Sequence, residues 1–237
     1  MKEYLEKILQ AQVYEVAKKT PLEKANNLSN TFKNNIYLKR EDLQDVFSFK
    51  IRGAYNKMRQ LTKEQLSNGV ITSSAGNHAQ GVALSALKLN CEATILMPIT
   101  TPLVKVNAVK NLKAKVILFG DNYDETYKEA IRISEERKLC FIHPFDDPDV
   151  IAGQGTIAIE LEQQLKEPPY AIYVAVGGGG LISGISIYIK NIWPEVKIIG
   201  VEPEDANAMF RSLEESKIVE LKSVGQFADG VAVKKVG

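Results

Sequence analysis

Short runs of branched and aliphatic residues alternate with stretches of helical length through most of this chain, and that alternation limits the folds open to it more than any other feature. Strands are expected at 35–39, 70–72, 93–97, 115–119, 139–142, 171–176 and 197–201. Helices are expected at 49–61, 78–89, 102–111, 123–137, 150–165 and 181–191. In the first of these, Ile51, Ala54, Tyr55 and Met58 share one face. Strands separated by helices imply crossover connections and mostly parallel sheets. Several strands are continuous Val/Ile/Leu runs rather than alternating ones, as expected when helices cover both faces of a sheet. The class is therefore α/β. With 237 residues, 45% of them hydrophobic, the chain suffices for one large domain or two modest ones, and no repeat or linker marks a boundary.

In such folds the chemistry gathers at the carboxyl ends of strands. Two segments fall there. Ser73-Ser74-Ala75-Gly76-Asn77-His78 follows one strand and opens a helix. Its small residues and N–H groups suit a carboxylate, and Asn77 suits a phenolate oxygen. A plain capping loop, with Ser or Asn as N-cap, fits the same residues. His78 is read as a structural side chain rather than a base. The second segment, Gly177, Gly178, Gly179 and Gly180, lies between the apolar run Val174-Ala175-Val176 and the helix opened by Leu181-Ile182-Ser183-Gly184. Glycines there let the backbone approach an anion, and the helix N-terminus adds donors and a favourable dipole. No Gly-Lys-Ser/Thr closes the run, so it is not a Walker loop. A tight strand-to-helix turn explains it equally well. A dinucleotide site is the weaker alternative, although Glu202 ends a strand about twenty residues on.

A third segment, Ser48-Phe49-Lys50-Ile51-Arg52-Gly53-Ala54, opens the first strong helix, with Ser48 as the expected N-cap. The positive helix end and burial both disfavour a charged Lys50, which pushes it toward a nucleophilic neutral amine. Alone, the same lysine is also compatible with an exposed helix face. Taken with the glycine run it points to pyridoxal phosphate, whose aldehyde takes a lysine amine and whose phosphate needs a cradle.

Thirty basic against 29 acidic side chains leave a net charge of +1, which gives no electrostatic reason for a nucleic-acid or anionic-membrane partner. No apolar run reaches the length of a membrane span, and the charged N-terminal residues do not read as a secretory signal. Cys91 and Cys140 belong to no C-x-x-C pair and read as reduced core thiols, which places the chain in the cytoplasm. With two histidines, no metal site is expected. Asp146, Asp147 and Asp149 read as helix-capping and turn charges rather than a cation site.

The three segments resemble the fold-type-II pyridoxal-phosphate enzymes (the tryptophan synthase β-like family), and within them the threonine dehydratases, also called threonine ammonia-lyases. Further matching stretches are Thr20-Pro21-Leu22, Leu38-Lys39-Arg40-Glu41-Asp42, Pro144-Phe145-Asp146-Asp147-Pro148, Ile151-Ala152-Gly153-Gln154-Gly155-Thr156 and Phe227-Ala228-Asp229-Gly230-Val231-Ala232-Val233. The resemblance covers essentially the whole chain in register. It is greatest to the biosynthetic form that starts isoleucine synthesis, with the catabolic form close behind. It implies conversion of L-threonine to 2-oxobutanoate and ammonia, and of L-serine to pyruvate. It gives Lys50 the covalent link to the cofactor and the proton transfer at the substrate α-carbon. Phe49 would flank the cofactor ring, and Asn77 would hold its 3-oxygen. Gly177, Gly178, Gly179, Gly180 and Leu181 would bind its phosphate, and Ser74, Ala75 and Gly76 would receive the substrate carboxylate. It also implies two α/β domains, a large one from 1–53 plus 149–237 and a small one from 54–148, and a homo-oligomer, dimer or tetramer.

Two departures from the family stand out. Ala75 occupies the place where serine racemases of this fold carry a serine base, so no useful racemisation is expected. The family continues beyond residue 237, through a polar partner for the pyridine nitrogen and a regulatory domain. The chain is therefore expected to be truncated, with little activity alone. A pyridoxal-phosphate-binding module without turnover is the competing class. Cysteine synthase or threonine synthase would fit the fold but not stretches 145–148 and 151–156.

Overall fold

The computed structural model describes residues 2–225 and 227–237. In chain order its elements are α1 (Lys2–Gln10), β1 (Leu22–Lys24), α2 (Asn26–Phe32), β2 (Tyr37–Lys39), α3 (Lys50–Arg59), α4 (Lys63–Asn68), β3 (Val70–Ser73), α5 (Asn77–Lys88), β4 (Ala93–Met97) and α6 (Leu103–Asn111). Then follow β5 (Lys115–Leu118), α7 (Tyr123–Arg137), β6 (Cys140–Phe141), α8 (Pro148–Gln164), β7 (Ala171–Ala175), α9 (Gly180–Ile192), β8 (Lys197–Val201) and α10 (Ala208–Glu214). Three helices begin where their sequences supply side-chain caps. Thr62 and Gln65 form a reciprocal capping box on α4. Asn122 accepts from the Glu125 N–H at α7, and Asp147 accepts from the N–H groups of Asp149 and Val150 at α8, with Pro148 in the first turn.

The central sheet has strand order β5-β4-β3-β6 and is parallel throughout. Successive side chains of a strand point to opposite faces. Val70, Ala93, Ile95 and Met97 therefore face one way, into a cluster with Ala79, Val82, Ala83 and Ala86 of α5 and Val106 and Val109 of α6. Ile71 and Leu96 face the other way, onto Ala130 and Ile133 of α7. Both faces are buried, which is why these strands carry apolar runs.

A second parallel pair, β7-β8, packs with α1, α8 and α9 through a cluster of Ile8, Ala152, Ile157, Val174, Ile185 and Ile189. Helices α3 and α8 cross at near backbone contact. A Cβ on Gly153 would lie 2.5 Å from the Arg52 carbonyl oxygen, and one on Gly53 would lie 2.7 Å from that of Val150. Of the antiparallel β1-β2 pair, β2 lies within the strand expected at 35–39, but β1 was not foreseen; its three residues are mostly exposed and carry no apolar face to signal them. Three strand ends open toward functional stretches: β3 into residues 74–76, β6 into 142–147, and β7 into 176–179.

Candidate active site

Lys50 is the first residue of α3. Ser48 does not cap that helix, contrary to expectation. The cap position is Phe49, whose backbone is already helical and which makes no side-chain capping bond. The Ser48 hydroxyl is buried without a partner. The Lys50 residue is only partly buried, yet its Nζ lies inside, where it donates to the Pro144 carbonyl at 2.7 Å. The Nζ also sits 5.4 Å from the Phe49 ring centroid. Among the described residues no carboxylate pairs with it, and desolvation lowers its pKa from 10.5 to about 8. On the order of a tenth of the amine is thus unprotonated at pH 7, far more than for an ordinary lysine.

Two packed layers hold Lys50 in place. On one side α5 approaches so closely that a Cβ on Gly81 would lie 3.1 Å from the Lys50 carbonyl carbon. On the other, Arg52, fully buried one residue beyond Ile51, is gripped by two carboxylates. Its Nε and Nη2 donate to Glu41 at 2.8 and 2.7 Å, and its Nη1 donates to Glu160 at 2.6 Å and to the Thr156 hydroxyl at 3.1 Å. Lys39 donates to the other Glu160 oxygen at 2.6 Å, and the Tyr14 hydroxyl donates to Glu160 at 2.9 Å. Burial opposes the ionised form of Glu160, but Arg52 and Lys39 overcome it and hold its carboxyl below the ordinary range. This network ties α3 to α8, to β2 and to the residues before β1.

The segment 74–77 joins the site through α5. The Gly76 N–H donates to the Ser74 hydroxyl oxygen at 3.2 Å, and nothing lies within 4 Å of where a Gly76 Cβ would be. Space is therefore open beside the three residues expected to meet a carboxylate. The helix cap is Gly76, so neither Ser74 nor Asn77 performs that function. Asn77 is the first residue of α5 and its side chain is exposed. His78, next along, is buried. Its Nε2–H donates to the Ile142 carbonyl at 2.9 Å, while Nδ1 has no partner. Burial, reinforced by the nearby Lys50, lowers its pKa from 6.5 to about 3. A histidine held neutral in this way is structural, as expected from sequence.

The glycine run lies at the N-terminus of α9, with Gly179 at φ +99° in the left-handed region that favours glycine. The N–H groups of residues 177–182 donate to no acceptor among the described residues. Six unpartnered donors at a helix N-terminus match what a phosphate requires. Side chains are excluded from this surface: a Cβ on Gly178 would lie 2.2 Å from Phe145 Cγ, and one on Gly180 would lie 2.6 Å from the Phe145 carbonyl oxygen. Leu181 is half-buried and packs against the apolar cluster under β7-β8.

Residues 142–145 therefore link all three segments. Ile142 accepts from His78, the Pro144 carbonyl accepts from Lys50, and Phe145 stands on Gly178 and Gly180. An amine nucleophile, an open carboxylate-sized space and an anion cradle lie around one short strap. These features fit pyridoxal phosphate: unsatisfied donors for its phosphate, and a buried amine for its aldehyde. The role of Pro144 was not read from sequence, because a backbone carbonyl leaves no residue-type signal. Cys91 and Cys140 are free thiols, half-buried beside the α5 cluster. Asp147 caps α8, and Asp149 pairs with Lys7 at 2.9 Å and Lys57 at 3.3 Å, so both serve the helix end.

Comparison with known proteins gives a consistent result. Residues 13–237 match the model of the family described as pyridoxal-phosphate dependent enzyme. The chain is 60% identical over 235 residues to the biosynthetic chloroplastic threonine dehydratase of Arabidopsis thaliana, covering 99% of this chain and 40% of that protein. It is 56% identical to a biosynthetic L-threonine dehydratase of Burkholderia multivorans, covering 99% of this chain and 47% of that one. The chain thus spans less than half the length of these curated relatives. Among solved structures, the processed form of threonine deaminase isoform 2 of Solanum lycopersicum superposes with a TM-score of 0.96 at 54% identity, over 99% of this chain and 64% of that one. Maize serine racemase superposes at 0.94 and 34% identity, over 98% of this chain and 71% of that one.

Proposed function

This chain belongs to the pyridoxal-phosphate dependent enzyme family and has its fold-type-II α/β fold, and from that premise we propose that it carries the catalytic site of a threonine dehydratase. The reaction is the ammonia-lyase conversion of L-threonine to 2-oxobutanoate and ammonia, with L-serine giving pyruvate. The observation that carries this reading is the strap 142–145, which brings the Lys50 amine and the glycine-run donors to one place. The 60% identity to a biosynthetic threonine dehydratase supports the choice of substrate and a role in isoleucine synthesis.

Pyridoxal phosphate, when bound, supplies an electron sink for charge developing at the α-carbon of an amino acid. This chain's residues perform the rest. The N–H groups of Gly177, Gly178, Gly179, Gly180 and Leu181 would hold the phosphate. Phe49 would flank the ring, and Asn77 would donate to its oxygen. Ser74, Ala75 and Gly76 would receive the substrate carboxylate, through the Ala75 N–H and the Ser74 hydroxyl, since the Ser74 N–H is taken by the Leu96 carbonyl at 3.1 Å and the Gly76 N–H by the Ser74 hydroxyl oxygen at 3.2 Å. Lys50 Nζ, whose pKa desolvation lowers to about 8, would serve as the attachment point and would accept the α-proton in its unprotonated form. The β-hydroxyl leaves as water, and the same amount of water returns in the hydrolysis that releases ammonia. Ala75 offers only a methyl group, so no second base acts on the opposite face of the α-carbon.

We also assign a large unit of residues 1–53 and 149–237, a small one of 54–148, a homo-oligomeric assembly of two or four copies, and the cytoplasm as compartment. The packing of α1 against α8 and α9 supports the first. Among the described residues no helix is long and apolar enough to cross a membrane.

The test is an absorbance titration of the purified chain with pyridoxal phosphate, with 2-oxobutanoate assayed after L-threonine is added. A cofactor band lost in Lys50→Ala, with little oxo acid formed by this chain alone, is the expected result. A band without oxo acid would restrict the chain to cofactor binding, and no band would overturn the site assignment.

A further inference from the structure

The Phe145 side chain has no role in the reaction proposed above, yet it stands on the glycine run at the centre of the site. The Phe145 ring occupies the position beside Gly178 so fully that an added Cβ would fall 2.2–2.3 Å from Cγ, Cδ1 and Cδ2. Its main chain covers Gly180. One residue earlier, the Pro144 carbonyl takes the hydrogen bond from Lys50 Nζ. The ring therefore packs on the glycine run, one residue beyond the carbonyl that takes the Lys50 amine.

Phe145 is itself held by His143. The His143 Nδ1 accepts the N–H of Asp146 at 2.8 Å and that of Phe145 at 3.3 Å, which folds the strap into a tight turn. The two rings meet edge-to-face with centroids 4.8 Å apart at 86°. Behind His143 the stack continues to Phe141 at 6.2 Å and Tyr127 at 6.5 Å, so the turn is backed by β6 and α7. Accepting two N–H groups at Nδ1 requires that nitrogen to be unprotonated. Burial favours that form, outweighing Asp146 and Asp147 nearby, and lowers the pKa of His143.

Resting on the reading of this site as a pyridoxal-phosphate site, we propose that Phe145 is a further binding residue, the apolar wall that separates the Lys50 amine from water and seats the phosphate on Gly178, and that His143 is its positioning residue. An aromatic ring suits this place because it removes water without offering a competing charge. A lysine without a carboxylate partner depends on such cover to keep its neutral form. Lys50 is faced by His78 from α5 and by His143 from the strap, and desolvation is the cause of its lowered value.

The test uses the full chain without cofactor. Lys50 is labelled with trace acetic anhydride across a pH series, and its acetylation is followed by mass spectrometry against exposed lysines. In the wild type the midpoint for Lys50 should lie near 8. In Phe145→Ala it should rise by about one pH unit or more, toward an ordinary lysine. Phe145→Leu, which keeps an apolar wall, should restore most of the shift, and His143→Ala should reproduce part of the alanine effect. Circular dichroism of each variant separates these effects from loss of fold, and Phe145→Leu decides the matter if the alanine variant unfolds. A midpoint unchanged in Phe145→Ala, or a leucine variant that behaves like the alanine one, overturns the proposal. A parallel absorbance titration with pyridoxal phosphate should show about tenfold weaker uptake in Phe145→Ala. Failure of the wild type to take up pyridoxal phosphate would instead overturn the functional reading, and the labelling result would still decide the role of Phe145.

Discussion

Replacing Lys50 by methionine should stabilise the cofactor-free chain near neutral pH, and the gain should shrink as the pH rises. In the folded chain desolvation lowers the lysine from 10.5 to about 8, whereas the unfolded chain keeps the ordinary value. A group whose folded pKa is depressed contributes stability that is present above the unfolded value and is lost as the pH falls through the folded one. The gap of about 2.5 pH units corresponds to about 3 kcal/mol, nearly all of it lost by pH 7. Methionine removes that liability and fills similar volume. It also gives up the bond to the Pro144 carbonyl, a loss of about 1 kcal/mol that does not vary with pH. Urea unfolding of both chains at about pH 7 and about pH 9.5 isolates the titrating part. The stability difference between them should fall by about 2 kcal/mol over that interval. Cys91 and Cys140, whose thiols burial raises above 9.0, also titrate in this window, but they are common to both chains and cancel. A difference that stays constant to within about 0.5 kcal/mol would show that Lys50 is not desolvated, and would remove the physical basis for its role as an unprotonated amine.

Four further outcomes are expected. Gly178→Ala places a Cβ 2.2 Å from Phe145 Cγ, so the ring must move, and pyridoxal phosphate uptake followed by absorbance should weaken at least about tenfold. His78, lowered from 6.5 to about 3 by burial first and then by Lys50, contributes stability present above 6.5 and lost as the pH falls toward 3. Between pH 6.5 and 5 that amounts to about 2 kcal/mol, and His78→Gln, which keeps a donor for Ile142, should flatten the slope in urea melts; an unaltered slope would contradict the buried-neutral reading. Glu160→Ala leaves Arg52 and Lys39 without a shared partner in the interior and should lower unfolding stability by about 3–5 kcal/mol. Incubation with L-serine, followed by chiral chromatography, should yield pyruvate without comparable D-serine, because Ala75 has no proton to exchange.

The sequence made the framework legible because strands and helices covered on both sides leave a strong periodic record. Val70, Ile71, Ile95 and Leu96 are apolar in succession since α5 and α6 bury one face and α7 the other. β1 left no such record, since its residues are mostly exposed. The site was legible where chemistry demands a residue type: a lysine for an aldehyde, glycines where a Cβ has no room. It was not legible where backbone atoms act. The acceptor for Lys50 is the Pro144 carbonyl, and any residue at that position has one. Ser48 shows the opposite failure. A serine two residues before a helix reads as a cap, yet Phe49 is already helical and the hydroxyl is left without a partner beside the lysine it precedes. Local propensity favours the cap, and the packing of α3 against α5 and α8 overrides it. The close contacts at Gly53, Gly81 and Gly153 and the ion network around Arg52 place Lys50 more firmly than a capped helix end would. That arrangement follows from the site's need. A neutral amine must be kept from water, and a helix end fixed by interior contacts can be buried where one fixed by a solvated cap cannot.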